Sequence, residues 1–197
     1  MAHSIEHQSQ FIDAEKASRF LETLTRDLDW YSFYASPKSR KVHHFNGEES
    51  LDVQLALDYI ITEIKRQCNV SEITGMFINK YDNGTDHCPF HRDQYGTDTY
   101  TLSLGASRDF VIKKDKTGES KTYQLNSGDL YYMPEEFHKN HKHGVPKRTR
   151  AQGTRISILF FAVRKNKALP KAFGIQQRPV KIRVKPIKPV KPIKPVQ

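Results

Sequence analysis

Cysteine is scarce in this 197-residue chain: Cys68 and Cys88 are the two present. Their separation fits neither a paired redox motif nor a four-cysteine zinc site, and isolated thiols suit a reducing compartment. A disulfide scaffold and a cysteine-based zinc domain are therefore excluded as organising principles. Long apolar runs are also missing. None approaches the ~20 residues of a membrane span, and the N-terminus lacks the basic start and apolar stretch of a secretory leader. These absences predict a soluble, intracellular protein of cytoplasm or nucleus, not secreted, with no membrane partner and no obligate protein partner.

Acidic residues are lacking from 165–197, where ten Lys and Arg stand without an Asp or Glu. The formal net charge of +10 resides there, because the 22 basic residues before it match the 22 acidic ones. That excludes a uniformly basic nucleic-acid-binding domain and assigns any long-range pull on polyanions to the tail or to local patches. The tail ends in Lys-Pro-Ile and Lys-Pro-Val units from Lys185 to Val196. A three-residue period with proline favours polyproline II, either as a disordered solvated tail, as a salt-sensitive tether for phosphate backbone, or as a ligand for an SH3-like partner.

The body reads as two helices followed by strands. Ala17, Phe20, Leu21, Leu24 and Leu28 repeat at helical spacing over 13–29, with Asp13 as N-cap. A second helix over 50–66 is expected to turn Leu51, Leu55, Leu57 or Tyr59, Ile61 and Ile64 inward. Asn46-Gly47 between them marks a turn. Short β-branched or aromatic runs follow at 76–81, 99–104, 110–113, 123–125, 130–133 and 156–163, with a hairpin loop at 114–118. The pattern predicts an α+β fold, a double-sheet barrel or jelly roll carrying the two N-terminal helices and the C-terminal tail. The expected division is 1–72 for helices and a substrate-lid region, 73–164 for the catalytic core and 165–197 for the basic tail.

One stretch carries chemistry. His91-Arg92-Asp93 sets an imidazole and a carboxylate two residues apart, on the same side of an extended segment. With a second histidine this becomes the 2-His-1-carboxylate set of non-haem Fe(II) oxygenases, which leaves metal positions open. His138, His141 and His143 all follow downstream as candidates. Arg155 opens the apolar strand Ile-Ser-Ile-Leu-Phe-Phe, a place suited to bidentate capture of a carboxylate. A structural zinc is a poor fit, because it would require a fourth protein ligand.

Asn79-x-Tyr81, Asp-x-Gly84, His91-Arg-Asp93, Ser103-Leu-Gly105, Arg108-Asp-Phe110, Gly128-Asp129-Leu130, Met133, His143-Gly-Val-Pro146 and Arg155-Ile-Ser157 occur in one order. In order and spacing they resemble the AlkB family of Fe(II)- and 2-oxoglutarate-dependent dioxygenases, most closely its nucleic-acid-repairing members. The resemblance runs weakly from Trp30 and strongly from residue 75 to Val163. It implies a jelly-roll (double-stranded β-helix) core, with Fe(II), 2-oxoglutarate and O2 as cofactor and co-substrates. By the same resemblance His91, Asp93 and His143 are the catalytic iron ligands, and His143 is preferred to His141 because it opens the family's His-Gly pattern. Arg155 corresponds to the residue that grips the distal carboxylate of 2-oxoglutarate, helped by Asn79, Tyr81 and Ser157. Arg40 and Lys41 match the substrate lid, with Trp30 to Tyr34 as stacking surface. The implied reaction is oxidative demethylation of N-alkylated bases such as 1-methyladenine and 3-methylcytosine, in DNA or RNA.

Two positions depart from the family pattern. Phe161 stands where a second arginine is usual near the co-substrate, and Arg164, three residues on, is on the opposite side of an alternating strand. Tyr95 stands where repair members carry an acidic residue that contacts the damaged base, so Tyr95 offers stacking or a hydrogen bond instead. These departures leave open a dioxygenase acting on another base or on a protein side chain. A catalytically silent nucleic-acid-binding module is the remaining alternative.

Overall fold

The computed structural model describes residues 5–33, 40–93 and 96–165. The expectations for the tail, Tyr34 and Tyr95 lie outside them. Both expected helices form. Helix α1 (Ala14–Asp27) starts where Asp13 accepts a hydrogen bond from the Lys16 backbone N–H, and α2 (Leu51–Gln67) starts where Ser50 does the same for Val53. Each cap satisfies an N–H that the first turn leaves without an intrahelical partner.

Eleven strands are described: β1 (Glu6–Gln8), β2 (Tyr31–Ser32), β3 (Lys41–His43), β4 (Val70–Tyr81), β5 (Cys88–His91), β6 (Asp98–Gly105), β7 (Arg108–Lys114), β8 (Ser120–Leu125), β9 (Leu130–Met133), β10 (His141–Val145) and β11 (Arg155–Arg164). A single turn, α3 (Glu135–His138), precedes β10. Seven strands form the major sheet in the order β1-β9-β6-β11-β4-β3-β2, and four form the minor sheet in the order β5-β10-β7-β8. The two sheets make the jelly roll. The short N-terminal strands β1, β2 and β3 join the major sheet, although their polar composition predicts no strand.

The period of two along β11 sorts its side chains between two cores. Ile156, Ile158, Phe160 and Ala162 join Ile78, Leu102 and Leu104 in a cluster roofed by Ala17 and Leu24 of α1 and by Val53, Leu57, Ile60 and Ile64 of α2. The opposite side of the major sheet meets the minor sheet across Tyr81, Phe110, Ile112, Tyr131, Met133 and Val145. Arg155 and Ser157 belong to this inner side, so alternation alone places polar residues between two apolar layers.

The expected inward face of α2 needs correction. Leu51 and Leu55 are 53% and 58% exposed, and the buried stripe is Val53, Ala56, Leu57, Ile60 and Ile64. Apolar residues lie on several sides of this helix, so two registers satisfy a helical period. The stripe that wins contains the small Ala56 and the branched Val53 and Ile60, which let α2 lie close to β4. The 114–118 loop joins β7 to β8 as expected, with Gly118 at φ +71°.

Candidate functional site

The site lies on the inner side of the jelly roll, between β4, β6 and β11 of the major sheet and β5 and β10 of the minor one. His91 and His143 are direct register partners on β5 and β10, and their rings approach to 4.4 Å between centroids. Asp93, just past β5, lies between them. Its Oδ1 is 3.3 Å from His91 Nε2 and its Oδ2 is 3.4 Å from His143 Nε2. Donor atoms of the three residues all lie within 4.8 Å of one another. The strand pairing brings the distant histidine to the His-x-Asp pair.

Local features hold these rings in place. His91 Nδ1 donates to the Pro89 carbonyl at 2.8 Å, which fixes the ring with Nε2 toward Asp93. Phe110 packs against His143 at 5.2 Å between centroids. Gly144 is glycine because β5 passes so close that a Cβ there would stand 2.8 Å from the Cys88 carbonyl oxygen. Burial is the chief cause that pushes His143 down to about 4. Burial also disfavours a charged His91, but the Asp93 carboxylate and the Cys88 thiol outweigh it and raise His91 to about 10. Asp93 is held below the ordinary carboxylate range, since its bond to His91 and the nearby imidazoles outweigh its burial.

The histidines that compete for the second position separate clearly. His141 stacks on Phe137 at 3.7 Å between centroids and its Nδ1 donates to the Phe137 carbonyl at 3.0 Å, outside the group of converging donors. His138 is buried with its ring 5.7 Å from that of His143, and neither of its nitrogens has a partner among the described residues. Burial lowers its pKa. It is a neighbour of the triad and stands outside the group of converging donors.

A cavity adjoins the triad and reaches Arg155, Tyr81, Asn79, Ser157 and Arg40. Arg155 is 1% exposed, and its Nε donates to Ser103 Oγ at 2.9 Å. Its Nη1 is buried without a partner. The register Arg155↔Tyr81 and Ser157↔Asn79 across β11 and β4 aligns these four side chains. Burial, reinforced by Cys88, pushes the Tyr81 phenol up to about 12 against the pull of Arg155, Arg40 and Arg108, so it remains a neutral donor.

Arg40 and Lys41, neighbours in sequence, go different ways. Arg40 is buried in the cavity, with Nε donating to Asn79 Oδ1 at 2.6 Å and Nη1 to Cys88 Sγ at 3.0 Å. Lys41 pairs with Asp82 at 2.6 Å on the outside. Phe161 is buried against Gly75. Arg164 lies over the Tyr132 ring on the far side of the sheet and contributes nothing to the cavity.

Arg108 has a role that its place in a motif did not reveal. Its guanidinium donates to the carbonyls of Asn83, Asp86 and Pro146, at 2.7 to 2.9 Å. It thereby ties the loop before β5 to the end of β10, the two strands that carry the triad histidines. An arginine opening the apolar run Phe-Val-Ile, just as Arg155 opens its own, was the available signal. Cys88, Thr101 and Tyr131 carry no such signal and emerge only from the packing.

Residues 4–160 match the model of the 2OG-Fe(II) oxygenase superfamily. The chain belongs to this superfamily. Within it the chain is AlkB-like. It is 29% identical over 132 residues to the DNA oxidative demethylase ALKBH2 of Arabidopsis thaliana, covering 53% of this chain and 42% of that protein. It is 31% identical over 110 residues to the Homo sapiens protein of the same name, covering 47% and 42%. An uncharacterised protein of Acanthamoeba polyphaga mimivirus is 28% identical over 94 residues, covering 45% and 49%. The chain spans less than half the length of these relatives. Among solved structures, a Pseudomonas putida prolyl-4-hydroxylase superposes with a TM-score of 0.55 at 14% identity, covering 83% of this chain and 94% of that one. A Trichoplax adhaerens prolyl hydroxylase, solved with a hypoxia inducible factor peptide fragment, gives 0.59 at 11%, covering 83% and 84%. At those identities the likeness concerns the jelly-roll fold.

This AlkB-like oxygenase fits the groups that its superfamily's name implies. Two imidazoles and a carboxylate suit a divalent iron and leave positions open. The partnerless buried Nη1 of Arg155 calls for an anionic acceptor, such as the carboxylate of a keto acid.

Proposed function

We propose that this chain is an Fe(II)- and 2-oxoglutarate-dependent dioxygenase that demethylates N-alkylated bases in DNA or RNA, with 1-methyladenine and 3-methylcytosine as expected substrates. The observation that carries this reading is the convergence of His91, Asp93 and His143 beside a buried Arg155 that has an unsatisfied donor. The AlkB-like relatives named as DNA oxidative demethylases support the choice of substrate.

In this reading His91, Asp93 and His143 would hold the metal. Arg155 receives the distal carboxylate of the keto acid, and Tyr81, Asn79 and Ser157 add hydrogen bonds along the same wall. When bound, the iron and the keto acid supply the oxidising chemistry that side chains lack. Tyr81 keeps its proton and donates at neutral pH, which fits an anionic ligand. Phe110, Tyr131, Leu159 and Val145 line the cavity and exclude water from the reacting groups. A substrate N-methyl group hydroxylated there becomes a hemiaminal that collapses to formaldehyde and the restored base. A base within a duplex must first leave the stack. Phe33 and Tyr31 are exposed on the lid side and offer rings for stacking, and the ten basic residues of 165–197 supply phosphate contacts.

The test is mass spectrometry of methylated oligonucleotides, as DNA and as RNA, incubated with Fe(II) and 2-oxoglutarate. The expected result is loss of one methylene's mass per lesion, absent with His143→Ala. Unchanged oligonucleotides with continued succinate formation would remove nucleobase demethylation and keep the oxygenase.

A further inference from the structure

Two buried guanidiniums line the cavity, those of Arg155 and Arg40, whereas Asp93 is the sole carboxylate among the described residues that line it. Asp93 already faces two imidazoles. With a divalent metal at the triad, the lining carries a clear excess of positive charge. Such an excess is matched better by a ligand with two negative charges than by one with a single charge.

The two cations also stand at different places along one wall. Arg155 lies at the Tyr81 level of the sheet, and Arg40 is bonded to Asn79, two residues away on β4. Two residues along a strand span ~6.8 Å, which is close to the reach of a five-carbon diacid. Arg40 also touches Cys88, whose Sγ lies 3.6 Å from His91 Nδ1. Arg40 therefore lies beside His91, whereas Arg155 is anchored to Ser103 and lies over the Tyr81 ring.

We propose that Arg40 is a second carboxylate-binding residue of the co-substrate, holding the keto-acid end beside the metal while Arg155 holds the distal end. This rests on the reading of the cavity as a 2-oxoglutarate site. It moves Arg40 from the substrate side of the lid to the co-substrate. Phe33 packs on the same guanidinium at 4.1 Å.

The experiment is isothermal titration of the full chain, loaded with Mn(II), with 2-oxoglutarate and with 2-oxopentanoate, which keeps the keto acid and lacks the distal carboxylate. Wild type is expected to prefer 2-oxoglutarate. Arg155→Met should abolish that preference. Arg40→Met should weaken both ligands by roughly tenfold or more and keep the preference, because the lost contact is to the carboxylate they share. Arg40→Lys should recover part of the loss. If Arg40→Met fails to load Mn(II), Arg40→Lys and Arg40→Gln take its place under the same criterion. Both affinities within twofold of wild type in a loaded Arg40 variant would overturn the inference and return Arg40 to the substrate side. Absence of 2-oxoglutarate binding by wild type would instead overturn the functional reading beneath it.

Discussion

Replacement of Arg155 by Met separates binding from folding. In the ligand-free protein the Arg155 guanidinium is buried, has one hydrogen bond to Ser103 and leaves Nη1 unsatisfied. Methionine of similar length removes a poorly compensated buried charge, a change worth about 1 to 4 kcal/mol in favour of folding. Loss of the Ser103 bond costs about 1 kcal/mol. The net is a stability that is unchanged or higher, and each added kcal/mol lifts the melting temperature by about 2 to 4 °C in a chain of this size. Co-substrate binding goes the other way. Two charge-assisted hydrogen bonds to one carboxylate, each worth about 1.5 to 3 kcal/mol, place the expected loss at roughly two to four orders of magnitude in Kd. Melting curves without ligand and titration of the Mn(II)-loaded protein with 2-oxoglutarate read the two effects separately. A melting temperature lowered by many degrees together with an unchanged Kd would refute the reasoning and make Arg155 a structural residue.

In the metal-free protein His91, raised to about 10, contributes stability that is complete below pH 6.5 and is lost as pH climbs toward 10. His143, lowered to about 4, contributes stability that is present above pH 6.5 and is lost as pH falls toward 4. Melting temperature against pH should therefore decline on both flanks, and Mn(II) affinity should rise between pH 6.5 and 10 as the metal displaces the His91 proton. A flat profile would contradict the Asp93-centred geometry. Gly84→Ala should destabilise by about 2 kcal/mol or more, because its Cβ would stand 1.8 Å from the Arg148 carbonyl oxygen, and urea denaturation measures the loss. Ile60→Ala should cost about 2 to 5 kcal/mol and Leu55→Ala less than about 0.5 kcal/mol, and the reverse order in the same denaturation assay would restore the rejected face of α2.

The triad was legible in the sequence for a physical reason. His-x-Asp on an extended segment puts two ligands on one side whatever the rest of the fold does. The second histidine was ambiguous by spacing alone, since His138, His141 and His143 crowd one stretch; the resemblance favoured His143, and the pairing of β10 with β5 is what brings its ring to His91. Arg155 was legible because a cation at the head of an apolar strand needs an anionic partner. Arg40 was named from the resemblance as a lid residue, but its place in the cavity was not legible, because that environment is made by residues far away in sequence, Asn79 and Cys88. The inward face of α2 failed for another reason: leucines on several sides of a helix leave its rotation to the partner sheet. Strands β1 to β3 lacked apolar alternation, and their pairing comes from the edges of the major sheet. Phe161 was legible as a departure, and its packing on Gly75 accounts for where the side chain goes.

The central claim is tested most directly by measuring succinate and formaldehyde together. The purified chain would be incubated with Fe(II), 2-oxoglutarate and a single-stranded oligonucleotide carrying 3-methylcytosine. The account predicts that formaldehyde appears in step with the succinate formed above the substrate-free level, and that both vanish in Asp93→Ala. Succinate without formaldehyde would contradict demethylation, and the absence of both from the wild-type protein would contradict the dioxygenase itself.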